Sequence, residues 1–166
     1  MTKLPVKVKR IGNHSLPLPK YETDGAAAFD LRASLDGHPM ARLMTHPRTG
    51  ERELCVMLVP DEHAYFPVGF AFEIPTGHEM QVRPRSGLAL RSKVVAWHPI
   101  GTVDSDYRGE VQAALHNRGD RSFVVWHGDR IAQGVIAPVV RAELVESEEL
   151  SETARGGNGF GSTGQS

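Results

Sequence analysis

An all-β domain with one short helix is the fold that the sequence predicts. Eleven prolines and 17 glycines divide the 166 residues into short pieces, and residues of these two types at close spacing end helices early. Between them lie short runs rich in Val, Ile, Leu and Phe, and alternation of apolar and polar side chains marks strands with one buried face. Many short strands with closely spaced turn signals are typical of a β-sandwich, a β-barrel or a jelly roll.

The first strand is predicted over residues 6–11, where Val6 and Val8 alternate with Lys7 and Lys9. Eight further runs between turn signals predict strands, at residues 28–33, 54–59, 66–74, 80–83, 94–97, 110–116, 122–125 and 131–140. The single helical segment, residues 87–92, is long enough for one or two turns.

Two segments lie outside this pattern of strands. Residues 34–53 contain Asp-Gly, His-Pro and Thr-Gly pairs, which predict a long surface excursion that could form a hairpin. From Glu146 onward the chain is acidic and then rich in glycine, a composition that cannot bury enough surface to order itself. The predicted organisation is a barrel domain over residues 1–148 followed by a flexible arm over residues 149–166.

Charge and cysteine content limit the classes of function. A formal net charge of -1 provides no basic field for nucleic acid, and no apolar stretch approaches the length of a membrane span. Cys55 is the only cysteine and lies in an apolar run, so we expect a buried structural thiol and a reducing compartment. These observations predict a cytoplasmic protein with no nucleic-acid partner and no membrane partner.

The glycine-rich tail combines residue types that could capture a nucleotide. Arg155 precedes Phe160, and Gly161, Ser162 and Thr163 follow it. Glycines let backbone N–H groups approach a phosphate, hydroxyl and guanidinium groups donate further hydrogen bonds, and one aromatic ring can stack on a base. A loose terminus without a role is the simpler interpretation of a glycine-rich tail, but this set of residues favours a nucleotide-binding lid.

Three further segments carry polar residues at turns. Arg85-Ser86-Gly87 comes just before or at the start of the predicted helix, where N–H groups attract anions, although Ser86 could equally be an ordinary N-cap. Residues 101–109 begin and end with glycine, which suggests a β-hairpin whose backbone could pair with the edge of a pyrimidine, with a solvated turn as the alternative. Residues 130–133 lead from a turn into an apolar strand.

Together these segments resemble the trimeric dUTPase family, in the same order and over nearly the whole chain. The five motifs of that family correspond to residues 27–31, 85–87, 101–109, 130–133 and 155–164. The resemblance implies a jelly-roll-like β-barrel that assembles as a homotrimer, in which three subunits share each active site. It also implies Mg²⁺-dependent hydrolysis of dUTP to dUMP and pyrophosphate, which keeps uracil out of DNA and supplies dUMP for thymidylate synthesis.

The resemblance also implies roles for individual residues. Asp104 is similar to the general base that activates the water attacking the α-phosphorus, and Tyr107 to the residue that packs under the deoxyribose. Gln133 resembles the donor to the α-phosphate, and Asp30 a motif aspartate that helps to hold the water shell of the metal. The other implied substrate contacts are Arg85, Ser86 and Gly87 with the polyphosphate, Arg155, Ser162 and Thr163 with the γ-phosphate, Phe160 with uracil, Gly161 in the same arm, and His98, Gly101 and Val103 at the base.

Two positions depart from the family pattern. His98 stands where an asparagine usually helps to recognise uracil, and a histidine has a different reach and tautomer. Lys93 stands where a glycine usually ends the helix.

Two alternatives to the hydrolase stay open. One is a dCTP deaminase, which would share the barrel and the trimer. The other is a dUTPase-like module that binds a protein partner through residues 34–53. The presence of Asp104, Gln133 and Phe160 favours the hydrolase.

Overall fold

The computed structural model of the protein describes residues 3–159. The secondary structure of this part of the chain is almost entirely β, so the predicted all-β fold with one short helix is confirmed. No helix within residues 3–159 is long and apolar enough to cross a membrane. In chain order the elements are β1 (Lys7–Arg10), β2 (Phe29–Arg32), β3 (Arg42–Thr45), β4 (Arg52–Leu58), β5 (His63–Pro67), β6 (Phe70–Glu73), β7 (His78–Pro84), α1 (Ser86–Ser92), β8 (Val94–Ala96), β9 (Gly101–Val103), β10 (Gln112–Asn117), β11 (Phe123–Trp126) and β12 (Arg130–Pro138).

The strands pair into four small sheets that surround one core. β1 pairs with β6, and β10 lies between β5 and β8. β4 lies between β11 and β3, and the fourth sheet has the order β2-β12-β7-β9. Apolar side chains from all four sheets meet in a single cluster, which stabilises the fold by removing apolar surface from water. Among its largest fully buried members are Leu31, Phe66, Phe70, Met80 and Ile131.

One predicted strand is two strands in the structure. The run over residues 66–74 breaks at Gly69, whose φ of 77° is a conformation that glycine adopts without steric cost. β5 therefore ends at Pro67 and β6 begins at Phe70, and the two strands belong to different sheets. The sequence hides the break because apolar residues on both sides of it are buried.

The excursion over residues 34–53 ends in a β-hairpin. β3 pairs with β4 in antiparallel register. In the connecting turn the buried His46 side chain accepts hydrogen bonds from the N–H groups of Arg48 and Thr49. β3 is an edge strand, and all four of its residues are exposed. The protein partner for this segment stays a prediction.

Residues 101–109 do not form the predicted β-hairpin. β9 pairs with β7, whereas β10 pairs with β5 and β8, so the two strands that flank the turn do not pair with each other. Residues 104–109, which we call the Asp104 turn, instead connect two sheets. The prediction was wrong because flanking glycines indicate a turn between strands but not which strands pair.

The helix α1 begins one residue earlier than predicted, at Ser86, and its N-cap is Arg85, which makes no side-chain capping hydrogen bond. At the other end Lys93 has a φ of 53° and a ψ of 24°, and its N–H bonds back to carbonyl groups of the helix. This left-handed conformation is the one that glycine usually supplies after a helix. A lysine therefore adopts here a backbone conformation that is strained for a residue with a Cβ.

The last strand ends at Pro138, and residues 139–159 contain neither helix nor strand. Four aliphatic side chains of this segment are between 78% and 93% exposed: Val140, Leu144, Val145 and Leu150. The segment thus leaves the core of its own chain after β12.

Candidate active site

Asp30 lies between two arginines at one end of the largest sheet. Its Oδ1 is 2.9 Å from Nε of Arg85, and its Oδ2 is 3.0 Å from Nη1 of Arg130. Strand register explains why these side chains lie close together. Asp30 of β2 is opposite Gln133 of β12, which in turn is opposite Arg83 of β7. Arg85 follows β7 directly and so reaches the carboxylate on β2.

Further hydrogen bonds fix this cluster. Nη1 of Arg85 donates to the carbonyl of Arg130 at 3.1 Å, and Nε2 of Gln133 donates to the carbonyl of Pro84 at 3.0 Å. We call Asp30, Arg85, Arg130 and Gln133 the arginine site. Guanidinium groups held in fixed positions bind phosphate oxygens through charge-assisted hydrogen bonds. The site can therefore hold a phosphate group beside the first turn of α1.

Local hydrogen bonds shape the Asp104 turn. The N–H of Tyr107 donates to the carbonyl of Asp104 at 3.2 Å, and the Arg108 guanidinium donates to the carbonyls of Ser105 and Tyr107 at 2.7 and 3.0 Å. The Tyr107 ring lies close over Gly109, where a Cβ would come within 2.3 Å of the Tyr107 Oη. Gly109 is thus required for the position of the ring.

A pocket of about 210 Å³ opens beside this turn. Its lining includes the exposed Asp104 and Tyr107 together with Gly101 and Val103 of β9. An exposed carboxylate, an aromatic ring and strand backbone in one pocket are groups that could contact a water, a sugar and a base edge.

His98 lines a second, smaller pocket of about 80 Å³, together with Tyr65, Arg83 and Gln112. The two pockets share Val82, Gly101 and Gln112 in their linings. His98 therefore lies near β9, which it precedes in the sequence and which Asp104 follows. Contact of His98 with a base stays a prediction.

The arginine site and the Asp104 turn lie at opposite ends of β7. Met80 of β7 is opposite Val103, so Asp104 follows at the level of Glu79, whereas Arg85 comes after the other end of the strand. Glu79 and Arg85 are six residues apart in the sequence, which corresponds to roughly 20 Å of strand. The two groups of one chain therefore do not meet at a single phosphate.

The structure brings the predicted residues together in two groups. Asp30, Arg85 and Gln133 form one group with the first turn of α1, which contains Ser86 and Gly87. Gly101, Val103, Asp104 and Tyr107 form the other. Arg155 lies in the arm, where its Nε donates to the carbonyl of Asn158 at 2.9 Å. The remaining arm residues, Phe160, Gly161, Ser162 and Thr163, lie outside the described residues.

Two residues of this region were not among the predicted site residues. Arg130 contacts Asp30, as described above, and Glu110 lines the pocket beside the Asp104 turn. Arg130 belongs to a segment whose motif was recognised, and its charge at the start of a strand was the available signal. Glu110 directly follows the 101–109 segment, and no pattern in the sequence distinguishes it.

The oxygen donors present fit a magnesium ion that arrives with a polyphosphate. Mg²⁺ prefers oxygen ligands and keeps several waters. Asp104 is exposed. Each Asp30 oxygen contacts one arginine nitrogen, and a carboxylate oxygen has a further lone pair that can accept from a water of the metal shell. Among the described residues there is no group of three or more His, Cys, Asp or Glu side chains placed to hold a metal ion. The indirect role of Asp30 toward the metal stays a prediction.

Cys55 lies apart from both groups, on β4. It is buried, as predicted, and burial raises the pKa of its thiol. A thiol with a raised pKa is a poor nucleophile at neutral pH, so Cys55 serves as a small core residue.

Sequence comparison identifies relatives of this chain. The family model for dUTPase matches residues 52–164. The deoxyuridine 5'-triphosphate nucleotidohydrolase of Anaeromyxobacter sp. (strain Fw109-5) is 51% identical over 162 residues, which cover 96% of this chain and 97% of that protein. The protein of the same name from Rhizobium etli is 48% identical over 157 residues, which cover 95% of this chain and 91% of that protein.

Solved structures show the same fold. The Staphylococcus bacteriophage 80alpha dUTPase with dUPNHPP superposes with a TM-score of 0.78 at 24% identity, over 98% of this chain and 99% of that chain. The dUTPase from phage phi11 of S. aureus gives 0.71 at 19% identity, over 90% and 100% of the two chains. The jelly-roll-like barrel is thus confirmed, and the relatives at about 50% identity define the class of protein, an all-β enzyme that acts on nucleotides. The sequence matches identify it further: the chain belongs to the dUTPase family.

Proposed function

We propose that the protein hydrolyses dUTP to dUMP and pyrophosphate in the cytoplasm, with Mg²⁺ as cofactor. Membership of the dUTPase family supports the substrate. The observation that carries the proposal is that Asp104, Tyr107 and residues of β9 line one pocket. This pocket offers a general base that could activate a water, beside an aromatic surface for a deoxyribose. The product dUMP would serve thymidylate synthesis, and removal of dUTP would keep uracil out of DNA.

In the proposed reaction the Asp104 carboxylate accepts a proton from a water that attacks the α-phosphorus. An ordinary ionised aspartate suffices if the water is held in line, since positioning supplies much of the rate. Tyr107 packs under the sugar and leaves no room for a 2′-hydroxyl. Gln133 donates to the α-phosphate, and Arg85, Ser86 and Gly87 bind the polyphosphate. When bound, Mg²⁺ offsets phosphate charge and orients the phosphate chain.

The separation along β7 supports a site that is shared between subunits. Because the Asp104 turn and the arginine site of one chain lie roughly 20 Å apart along the strand, a complete site needs the Asp104 turn of one copy beside the arginine site of another. A closed threefold ring supplies three such contacts. We therefore propose a homotrimer with composite active sites.

The arm would complete each site. The exposed aliphatic side chains of residues 139–150 have little contact with their own barrel, as expected for a segment that packs on another copy. Beyond it, Arg155, Ser162 and Thr163 would bind the γ-phosphate, Gly161 would let the backbone approach it, and Phe160 would stack on uracil. Closure of the arm would exclude bulk water and strengthen each polar contact.

Recognition of the base is assigned to β9 and its neighbourhood. Backbone groups of Gly101 and Val103 would pair with the edge of uracil, and His98 would donate where the family usually uses an asparagine. Cytosine presents the opposite donor pattern at carbon 4, so it would leave polar groups of the pocket unpaired, and mismatches of this kind give strong rejection.

Incubation of the purified protein with dUTP, dCTP, dTTP and UTP tests the proposal. The expected result is release of dUMP and pyrophosphate from dUTP, with much slower turnover of the other three nucleotides. Conversion of dCTP to a uracil nucleotide would identify a deaminase instead. Absence of turnover with all four, in the presence of Mg²⁺, would refute the enzymatic proposal and favour a protein-binding module.

A further inference from the structure

The peptide of Gly69 is a junction between three parts of the chain. Its carbonyl accepts hydrogen bonds from the N–H of Ile11 at 2.9 Å and from Nε2 of His14 at 2.8 Å. Its N–H donates to Oε1 of Glu110 at 2.8 Å. A Cβ at this position would come within 2.3 Å of the His14 ring, so the peptide is enclosed on the side of His14 as well.

In the described part of the chain, the backbone hydrogen bonds between neighbouring segments do not include the Gly69 N–H. Val111 bonds to both neighbours of Gly69, because the N–H of Val68 donates to its carbonyl and its N–H donates to the carbonyl of Phe70, each at 3.0 Å. The positive φ of Gly69 turns its own N–H away from this pattern. The Glu110 carboxylate takes the N–H instead, and a hydrogen bond to a charged acceptor is stronger than one between neutral groups.

Glu110 also contacts the Asp104 turn from the other side. Its carbonyl accepts a hydrogen bond from Oη of Tyr107 at 3.2 Å, and the residue lines the same pocket as Asp104 and Tyr107. Glu110 thus joins Tyr107 of the pocket to the peptide of Gly69, which is held by Ile11, directly after β1, and by His14. Among the described residues, the other hydrogen bonds of the turn are local to residues 104–108.

We infer that Glu110 is a positioning residue of the nucleoside pocket: by holding the Gly69 N–H, its carboxylate fixes the Asp104 turn and so the place of the Tyr107 ring. This inference rests on the proposed hydrolysis of dUTP. It deepens that proposal, because the position of the ring decides how well a ribose 2′-hydroxyl is excluded. The carboxylate need not touch the substrate.

Three substitutions separate this role from a general contribution to stability. Glu110→Ala removes the acceptor, while Glu110→Gln keeps an oxygen that can accept from the Gly69 N–H. Glu62→Ala is the matched control, since the Glu62 carboxylate also accepts a backbone N–H at 2.8 Å, from Val59, in the loop between β4 and β5. Glu110→Asp, which is too short to reach Gly69 in the same way, replaces the alanine variant if that variant does not fold.

The measurements are kcat and KM with dUTP and with UTP, and amide hydrogen exchange over residues 101–111. Glu110→Ala should lower kcat/KM for dUTP roughly tenfold, the effect expected for one charge-assisted hydrogen bond. It should lower the preference for dUTP over UTP and speed exchange in the turn. Glu110→Gln should restore most of all three properties, and Glu62→Ala should resemble the parent in all of them.

The inference is overturned if the Glu110→Ala variant has the same kinetic constants and the same hydrogen-exchange rates as the parent. It is also overturned if the variant loses thermal stability but keeps its kcat/KM and its preference for dUTP, because that is the signature of a purely structural residue. If the parent itself does not hydrolyse dUTP, the proposed function fails. The exchange comparison still decides whether Glu110 fixes the turn.

Discussion

Asp30 on β2 and Arg85, which directly follows β7, form an ion pair with a distance of 2.9 Å between Oδ1 and Nε, although β2 and β7 are not neighbours in their sheet. The Asp30 side chain is only 14% exposed, so the pair is shielded from water on most sides. A partly buried carboxylate that holds two guanidinium groups sets their directions before any phosphate arrives.

Replacement of Asp30 by asparagine should therefore reduce both stability and activity. The amide keeps the shape but not the charge, so the free energy of unfolding should fall by about 2 kcal/mol. With the arginines less well held, kcat/KM for dUTP should fall at least roughly tenfold. Urea unfolding and steady-state kinetics measure the two effects.

Glu73→Gln is the matched control for this variant. Glu73 also forms a carboxylate ion pair at 2.9 Å, with the exposed Lys7, and the hydrogen bond and charge of Lys7 lower the pKa of Glu73. Loss of this surface pair should leave the activity unchanged. Equal effects of the two substitutions would contradict a special role for the Asp30 pair.

Asp104→Asn should nearly abolish turnover and leave nucleotide binding in place. An amide cannot accept the proton of the attacking water, and loss of a general base lowers kcat by about 10²–10⁴-fold. Binding of a non-hydrolysable dUTP analogue, measured by calorimetry, should change little. Asp106→Asn, an exposed carboxylate in the same turn, is the control and should keep activity within a few-fold of the parent.

Two inactive variants should regain activity when their subunits are mixed, if the active site is shared between subunits. One is Asp104→Asn, and the other is a chain shortened by deletion of residues 155–166, which should fold and assemble because the described part of the deleted segment makes no strand. Mixed subunits would place an intact Asp104 beside an intact arm. Recovery of activity after subunit exchange is the expected result, while full exchange without recovery would show that base and arm act within one chain.

Lys93→Gly should stabilise the protein. Lys93 has a φ of 53°, and relief of its Cβ strain should raise the free energy of unfolding by about 0.5–1 kcal/mol, after the greater flexibility of glycine in the unfolded chain is included. Lys93→Ala removes the same charge but keeps the Cβ, so it should show no gain. A gain of the same size in both variants would assign the effect to the lysine charge.

The buried thiol of Cys55 should make stability depend on alkaline pH. Burial raises its pKa in the folded chain, so the unfolded chain loses the thiol proton first as the pH rises. The contribution of the buried, protonated thiol to the free energy of unfolding is complete below the ordinary thiol pKa of about 8.5. This contribution is lost as the pH rises through the raised pKa of the thiol in the folded chain. The difference in unfolding free energy between the parent and Cys55→Ala should therefore be smaller at alkaline than at neutral pH, and a constant difference would contradict this.

Local patterns in the sequence predicted local structure well. The alternation of Val6 and Val8 with lysines marked β1, and the short helix was found within one residue of its start. Pairing between distant strands was not predictable in this way. Residues 101–109 show this, because their turn was recognised while the partner of β9 was not.

The arginine site shows why part of a site stays hidden in a sequence. Arg130 and Gln133 are three residues apart on β12, and a regular strand would place them on opposite faces. The register of β12 against β2 shifts between Arg130 and Ala132, and a shift of this kind changes which residues share a face. Arg130 thus reaches Asp30 while Gln133 reaches the carbonyl of Pro84. No glycine or proline marks the irregularity within residues 130–133.

The edge strand β3 has a consequence for the behaviour of the protein at high concentration. It presents Leu43 and Met44, which are 55% and 41% exposed, along an edge that another strand could extend, and such edges are templates for aggregation. Arg42 lies beside these residues, and the Arg52 guanidinium donates to the carbonyl of Leu43 at 3.2 Å. An incoming strand would have to strip water from these charges. The two arginines therefore oppose sheet growth between copies of the chain at the edge of the 34–53 excursion, and we expect neutral residues in their place to make aggregation faster.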